Sequence, residues 1–347
     1  MRTFNCACGA RIFFDNSRCL SCGSELGFLP DQGVSSSLEP TPEGPFLALG
    51  GSYEKCRNYS EQGVCNWMVP AAVAHDFCQA CRLNNVIPDL SNPENRELWA
   101  EVERAKRRLV YGLNRLRLSL VSKQDDPQQG LAFDIKADVE TTRVLTGHDE
   151  GLITLNIAEA DAVSREKMRV SMKERYRTLL GHFRHEVGHY YWDRLIRDSP
   201  WLSQVRGLFG DDTADYTQAL QQYYARGNTA DWPADYISAY AQAHPWEDWA
   251  ETFAHYLHMV DTLDTAQHFG FTPKLPERTT LLQISDFGLL MQEWSELTVA
   301  LNALNRSMGL PDAYPFATTA KVSEKLELVH RIVREQRRER AAPTPSA

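Results

Sequence analysis

All eight cysteines of this 347-residue chain lie before residue 82. They form two quartets: Cys6, Cys8, Cys19 and Cys22, then Cys56, Cys65, Cys78 and Cys81. In the first, a Cys-x-Cys pair and a Cys-x-x-Cys pair are followed by Gly9 and Gly23. A glycine there lets backbone amides turn toward the thiolates. In a reducing compartment such spacing points to metal rather than disulfides. Four thiolates complete one tetrahedral zinc site with no vacant position for water. The expected role is therefore structural, in modules too small to bury enough apolar area alone. The spacing predicts four-cysteine zinc modules at 1–28 and 53–90, joined by a Pro/Gly/Ser-rich linker at 29–52. Phe4, Phe13 and Phe14 are expected as the core of the first module. His75 is an alternative ligand in the second.

The second constraint is GHFRHEVGHYYWD, residues 181–193. Ser164 to Ser199 contains no proline, and apolar residues recur at helical spacing from Met168 to Val187. Ser164 as cap, Glu166 in the first turn and Pro200 beyond the end predict one long helix. Residues four apart share a helical face, so His185 and His189 project side by side. Glu186 is offset by about 100°, too far round to be a ligand but able to reach a water that a metal holds. This is His-Glu-x-x-His, the pattern of zinc-dependent hydrolases. Such a site needs a third protein ligand. Residues 243–261, AHPWEDWAETFAHYLHMVD, read as a helix that starts at Pro245. Trp246, Trp249, Ala250, Phe253 and Leu257 form an apolar stripe, and Glu247, Glu251, His255 and His258 a polar one. One face seals a core and the other can supply a carboxylate.

These segments resemble zincin metallopeptidases of the gluzincin type. There the third ligand is a glutamate on a second helix, in a Glu-x-x-x-Asp or Glu-x-x-Ala-Asp pattern. Glu247-Asp248-Trp249-Ala250-Glu251 fits it, with Glu251 where aspartate is usual. The resemblance implies Glu247 as third ligand and Glu251 as the group that fixes a ligand imidazole. The extra methylene of Glu251 leaves the two roles open to exchange. The cysteine-rich N-terminus, HFRHEVGHYYWDRLI, PWEDWAETFAHYLHM and LPDAYPF together resemble the bacterial family called putative zinc-binding metallopeptidase, with an N-terminal zinc ribbon. The implied fold is α+β. It comprises a mostly helical zincin-like metallopeptidase domain at 91–340 with a small edge-strand sheet, preceded by the zinc-ribbon modules. The implied cofactor is Zn2+, one catalytic and two structural.

Elsewhere, Pro93 begins a helix whose seam is Leu98, Val102, Ala105, Leu109, Leu113 and Leu116. Its basic run, Arg104 to Arg108, reads as a solvated face balanced by Glu97, Glu101 and Glu103, in preference to a nucleic-acid grip. Residues 131–137 and 151–158 read as strands. In zincins an edge strand precedes the active-site helix, and substrate pairs with it. The stretch 200–243 reads as irregular, the chain closes on a basic helix, and 341–347 read as disordered. The net charge of −9 argues against non-specific binding of a phosphate backbone. No run of about 18 apolar residues predicts a membrane span. The N-terminus lacks a signal core, so the expected location is the cytoplasm.

The expected function is a zinc-dependent hydrolase of peptide or related amide bonds, with Glu186 as base. Tyr191, His182 and His244, with Tyr190 and Tyr240, are candidates for oxyanion or substrate contacts. The substrate is expected to be a peptide or protein, and the ribbons are docking points for a protein partner. The alternative is a non-catalytic zinc-ribbon scaffold, binding protein or nucleic acid, with a degenerate hydrolase domain. An intact Glu186 argues against it.

Overall fold

The computed structural model describes residues 1–42, 44–139, 143–171, 177–227, 232–272 and 284–341. Its first knuckles turn on Gly9 and Gly23, with φ of 84° and 77°. Each donates its N–H to the carbonyl of the cysteine that opens the turn, Cys6 or Cys19. Strands β1 (Thr3–Asn5) and β2 (Arg11–Phe13) pair antiparallel. Alternation points Ile12 inward and leaves Phe13 exposed. Ile12 and Leu26 therefore form the small core with Cys6 and Cys19. Phe4 only flanks it, and Phe14 joins the main core against Tyr111, ring centroids 5.0 Å apart.

The stretch 29–52, expected as a linker, is about half strand. β3 (Leu26–Leu29) pairs with β4 (Val34–Ser37). β5 (Glu39–Pro40), β6 (Phe46–Ala48), β7 (Gly51–Lys55) and β8 (Met68–Pro70) form an antiparallel sheet in chain order. Leu29, Leu38, Ala48, Tyr53 and Met68 pack together behind them. A single turn, α1 (Arg57–Ser60), follows Cys56, and β9 (Asn84–Val86) follows Cys81.

Helix α2 (Pro93–Arg115) starts as predicted, with Pro93 in the first turn and the Asn92 side chain accepting from the Glu94 N–H. Its basic run is not a solvated face. Arg104 does pair with Glu101 at the surface. Lys106 and Glu103, however, form an ion pair at 2.7 Å with both side chains fully buried. Arg107, also buried, donates to the Val64 carbonyl, and Arg108 donates to Asp15. Charges here face inward because α2 has protein on several sides. One continuous core runs from Cys56, Cys65 and Trp67 through Trp99 and Val102 to Phe183 and Phe253.

Strands β10 (Ala132–Lys136) and β12 (Leu152–Asn156) lie where the alternation placed them and are parallel neighbours. β9 flanks β10 in parallel, while β11 (Gly147–Asp149) pairs antiparallel with β12. The sheet edge beyond β12 is thus β11, so the strand at 151–158 is interior. The single helix expected over 164–199 is two, α3 (Ala162–Ser171) and α4 (Leu179–Leu195). Thr178, at φ −128° and ψ 153°, is extended, and its hydroxyl accepts the Gly181 N–H at 3.0 Å as the true cap of α4. Residues 172–176 lie outside the described residues. Two helices, α5 (Leu202–Phe209) and α6 (Tyr216–Arg226), occupy the stretch expected as irregular. Then come α7 (Pro245–His268), α8 (Phe287–Ser307) and the basic α9 (Ala320–Ala341). The expected tail falls outside the described residues from 342 on. Among the described residues no helix is long and apolar enough to cross a membrane.

Helices α4 and α7 touch most closely at Gly188. A Cβ there would stand 2.9 Å from the Ala250 Cα, nearer than atoms of neighbouring backbones approach. The Trp249 indole N–H donates to the Gly188 carbonyl at 2.9 Å. On the other side of α7, Lys325 of α9 reaches Asp248 at 2.6 Å, both buried.

Removing one partner of a buried ion pair strands the other charge and costs about 3–5 kcal/mol. Lys106→Ala should therefore destabilise the chain by about that amount in urea titration. Arg104→Ala, which breaks only the exposed pair, should cost under about 1 kcal/mol.

Candidate metal centres

Two helices converge on one spot. His185 and His189 sit four residues apart on α4, and Glu247 in the first turn of α7. The two Nε2 atoms are 3.2 Å apart, and Glu247 Oε2 lies 3.0 Å from one and 3.4 Å from the other. This oxygen is buried and finds no aligned hydrogen-bond donor among the described residues. Three lone-pair-bearing atoms facing one another repel unless a proton or a metal ion lies among them. Corners of a tetrahedron around zinc, with bonds of about 2.0–2.1 Å to nitrogen and oxygen, stand about 3.3 Å apart. The observed edges fit that figure.

Both partners of this triad are oriented from behind. His185 Nδ1–H donates to Glu251 Oε1 at 2.6 Å, which leaves Nε2 free to face the cluster. The other carboxylate oxygen of Glu247 accepts from the Tyr216 hydroxyl, also at 2.6 Å. His189 is held by rings instead, Trp246 at 3.9 Å and His148 at 5.9 Å. Burial opposes charge on Glu247, Glu251 and His185, yet their pairing outweighs it. Glu247 is held well below the usual carboxylate range by His189 and His185, and Glu251 down to about 2 by His185. His185 is raised well above the usual imidazole value by the two carboxylates. Glu186, also buried, follows His185, and its charge is felt by the phenols of Tyr216 and Tyr240. Both phenols are pushed up, first by burial and then by Glu247, so they remain donors at neutral pH.

The remaining sequence candidates are engaged elsewhere. His182 Nδ1 pairs with Glu159 at 2.5 Å, beside Arg177, at the start of α4. His244 is the cap of α7: Nδ1 accepts from the Trp246 N–H and Nε2–H donates to the Ala214 carbonyl. The Tyr191 hydroxyl donates to the Ser119 carbonyl from a fully buried position. Of the other tyrosines, Tyr240 does border the triad, its ring 5.9 Å from His185. Sequence reasoning passed over Tyr216 and His148. His148 Nε2 accepts from the Gly151 N–H at 2.9 Å, so its proton is on Nδ1, which is buried with no acceptor among the described residues. The Trp246 indole N–H is likewise buried and unmatched. Burial, with His189 adding to it, holds the His148 pKa down to about 3.

The cysteines gather as two quartets. Sulfur pairs Cys6–Cys22, Cys8–Cys19 and Cys65–Cys78 stand 3.7, 3.8 and 3.8 Å apart. Disulfide sulfurs would be about 2.0 Å apart. Thiolates at about 2.3 Å from one zinc would be about 3.8 Å apart. In the first quartet Cys8 and Cys22 are exposed, whereas all four of the second are buried. Backbone N–H groups of Trp67 and Cys78 donate to the sulfurs of Cys65 and Cys56. His75 is exposed and stands outside that quartet.

Everything at the triad depends on how closely α4 and α7 approach. Gly188→Ala should lose about 1–3 kcal/mol by overpacking, although the change favours an isolated helix by about 1 kcal/mol. Gly207, in α5, has open space where a Cβ would go. Gly207→Ala should leave thermal melting unchanged or slightly raised, and the pair of melting curves checks the contrast.

Comparison with known proteins agrees with both halves of the geometry. Residues 95–332 match the family described as "Putative zinc-binding metallo-peptidase", and residues 3–92 match a zinc-ribbon domain family. Proteins of Mycobacterium bovis and of two strains of Mycobacterium tuberculosis, each described as uncharacterized, are 44% identical over 338 residues, covering 96% of either chain. No solved structure gives a significant match. With its zinc ribbon ahead of a helical domain that brings two histidines and a glutamate together, the chain belongs to the putative zinc-binding metallo-peptidase family.

Proposed function

We propose that this chain hydrolyses peptide or related amide bonds in a zinc-dependent reaction. The observation that carries the reading is the arrangement of His185 Nε2, His189 Nε2 and the undonated Glu247 Oε2 at tetrahedral edge distances, with Glu186 alongside. In this reading His185, His189 and Glu247 hold the catalytic ion, and the two cysteine quartets each hold a structural one, three per chain. Zinc in such a site supplies Lewis acidity, enough to lower the pKa of a coordinated water to about 7.

The chain's own groups do the rest. Glu186 accepts the proton of the attacking water and delivers it to the departing amine. Its burial strengthens both transfers, because less water competes for the carboxylate. Glu251 keeps the proton of His185 on Nδ1 and so keeps Nε2 available. Tyr240 and the unmatched N–H groups of His148 and Trp246 are the donors available to a substrate carbonyl. His148 lies on β11, the strand whose outer edge an extended peptide would join.

Glu186→Gln removes the base without removing a ligand. Zinc content should stay near three per chain while hydrolysis of a peptide library falls on the order of 10²-fold or more. Cleavage at the parent rate would rule Glu186 out as base. Graded chelation separates the two carboxylates of α7. Glu247→Gln should empty the catalytic site while the cysteine sites keep their metal, and Glu251→Gln should weaken it by about 10–100-fold. The reverse order would exchange their roles.

A further inference from the structure

Tyr216 is the first residue of α6, a helix none of whose residues is buried. It stands 31 positions before Glu247, and its hydroxyl donates to Glu247 Oε1 at 2.6 Å. Its ring is seated edge-on between His244 and Trp246, centroids 5.3 and 5.5 Å away. The carboxylate is thereby divided. Oε1 is committed to the phenol, and Oε2 alone faces His185 and His189.

That division has a chemical consequence. A carboxylate can hold a metal through one oxygen or through both. Through both, it occupies a further coordination position and neutralises more of the ion's charge. A catalytic zinc needs three protein ligands and an open position, so a glutamate free to swing its second oxygen inward would compete with the reactants. A strong donor on Oε1 holds that oxygen away and draws charge from the carboxylate. We propose that Tyr216 is a positioning residue that keeps Glu247 presenting a single oxygen to the metal, and so preserves the open position and the Lewis acidity of the centre. The proposal rests on Glu247 being the third ligand, as argued above. It ties the docking of α6, an otherwise peripheral helix, to the coordination number of the ion.

Cobalt reports coordination number through its visible absorption, which is several-fold stronger in four-coordinate than in five-coordinate sites. The experiment exchanges Co2+ into the His/His/Glu site of the full chain, leaving zinc in the cysteine sites, and compares parent, Tyr216→Phe and Glu247→Gln. Phenylalanine keeps the ring contacts and removes only the hydroxyl, on a helix that contributes no buried residue to the core. Tyr216→Phe is expected to hold cobalt at least as tightly as the parent, yet with absorption that drops several-fold toward the five-coordinate pattern. Its kcat should fall about 10–100-fold with KM within about twofold. A merely structural tyrosine would weaken cobalt retention and leave the spectrum of the bound fraction unchanged, which would overturn the proposal. A parent-like spectrum and kcat in Tyr216→Phe, with cobalt lost from Glu247→Gln, would overturn the role of Tyr216 and leave the ligand set standing. Cobalt retained normally by Glu247→Gln would remove the ligand assignment, and the proposal with it.

Discussion

The approach of α4 to α7 at Gly188 and Ala250 is the constraint on which the candidate centre depends. Each helix carries functional groups four residues apart, His185 and His189 on one, Glu247 and Glu251 on the other. A helix repeats its face about every 3.6 residues, so two such pairs can mesh only if the axes come close and stay in register. A side chain at 188 would hold them apart. The hydrogen bond from Trp249 to the Gly188 carbonyl ties the same point sideways. Burying several ionisable groups together is costly, and here the cost is offset by mutual pairing and by the donors behind them.

A second arrangement lies at the far side of α2. A zinc ion bound by four thiolates carries a net charge of −2, and the second quartet is wholly buried. Arg107 feels that quartet: Cys65, Glu103, Cys81 and Cys78 favour its charge and together outweigh the cost of its burial. Next to it, Cys81 faces Glu103, which also accepts from the Trp99 indole and pairs with Lys106. Lys106 and Arg107, the buried half of the basic run of α2, are thus internal counterions. The first quartet, with two exposed sulfurs, has water to perform that service.

Much of this was legible because helical spacing and cysteine spacing are local properties. His185, Glu186 and His189 follow from one turn of helix, and Pro245 marks the start of the next without any knowledge of the fold. What stayed hidden depends on elements meeting in space. Tyr216 lies on a helix that buries none of its residues, and His148 on a strand of three residues, too short for alternation to register. His182 looked like a neighbour of the ligands because it lies one turn away. Its ring pairs with Glu159 instead. His244 stood among the candidate contacts, yet one ring nitrogen caps α7 and the other is bound to the Ala214 carbonyl. The stretch 29–52 read as a linker from its Pro, Gly and Ser content, which equally describes tight turns between two- to five-residue strands.

The two matched families meet between residues 92 and 95, within a residue or two of the first turn of α2. That seam divides units of descent, and it runs through the shared core described above. Trp99 and Val102 on one side and Trp67 and Cys65 on the other belong to one hydrophobic cluster. Evolution can trade domains freely only where their surfaces were already wet. Here an exchange would bare apolar surface and a buried charge cluster on both pieces at once. The ribbon and the metallopeptidase-like domain should therefore travel as a pair through the family, and changes on one face of α2 should be answered by changes on the other.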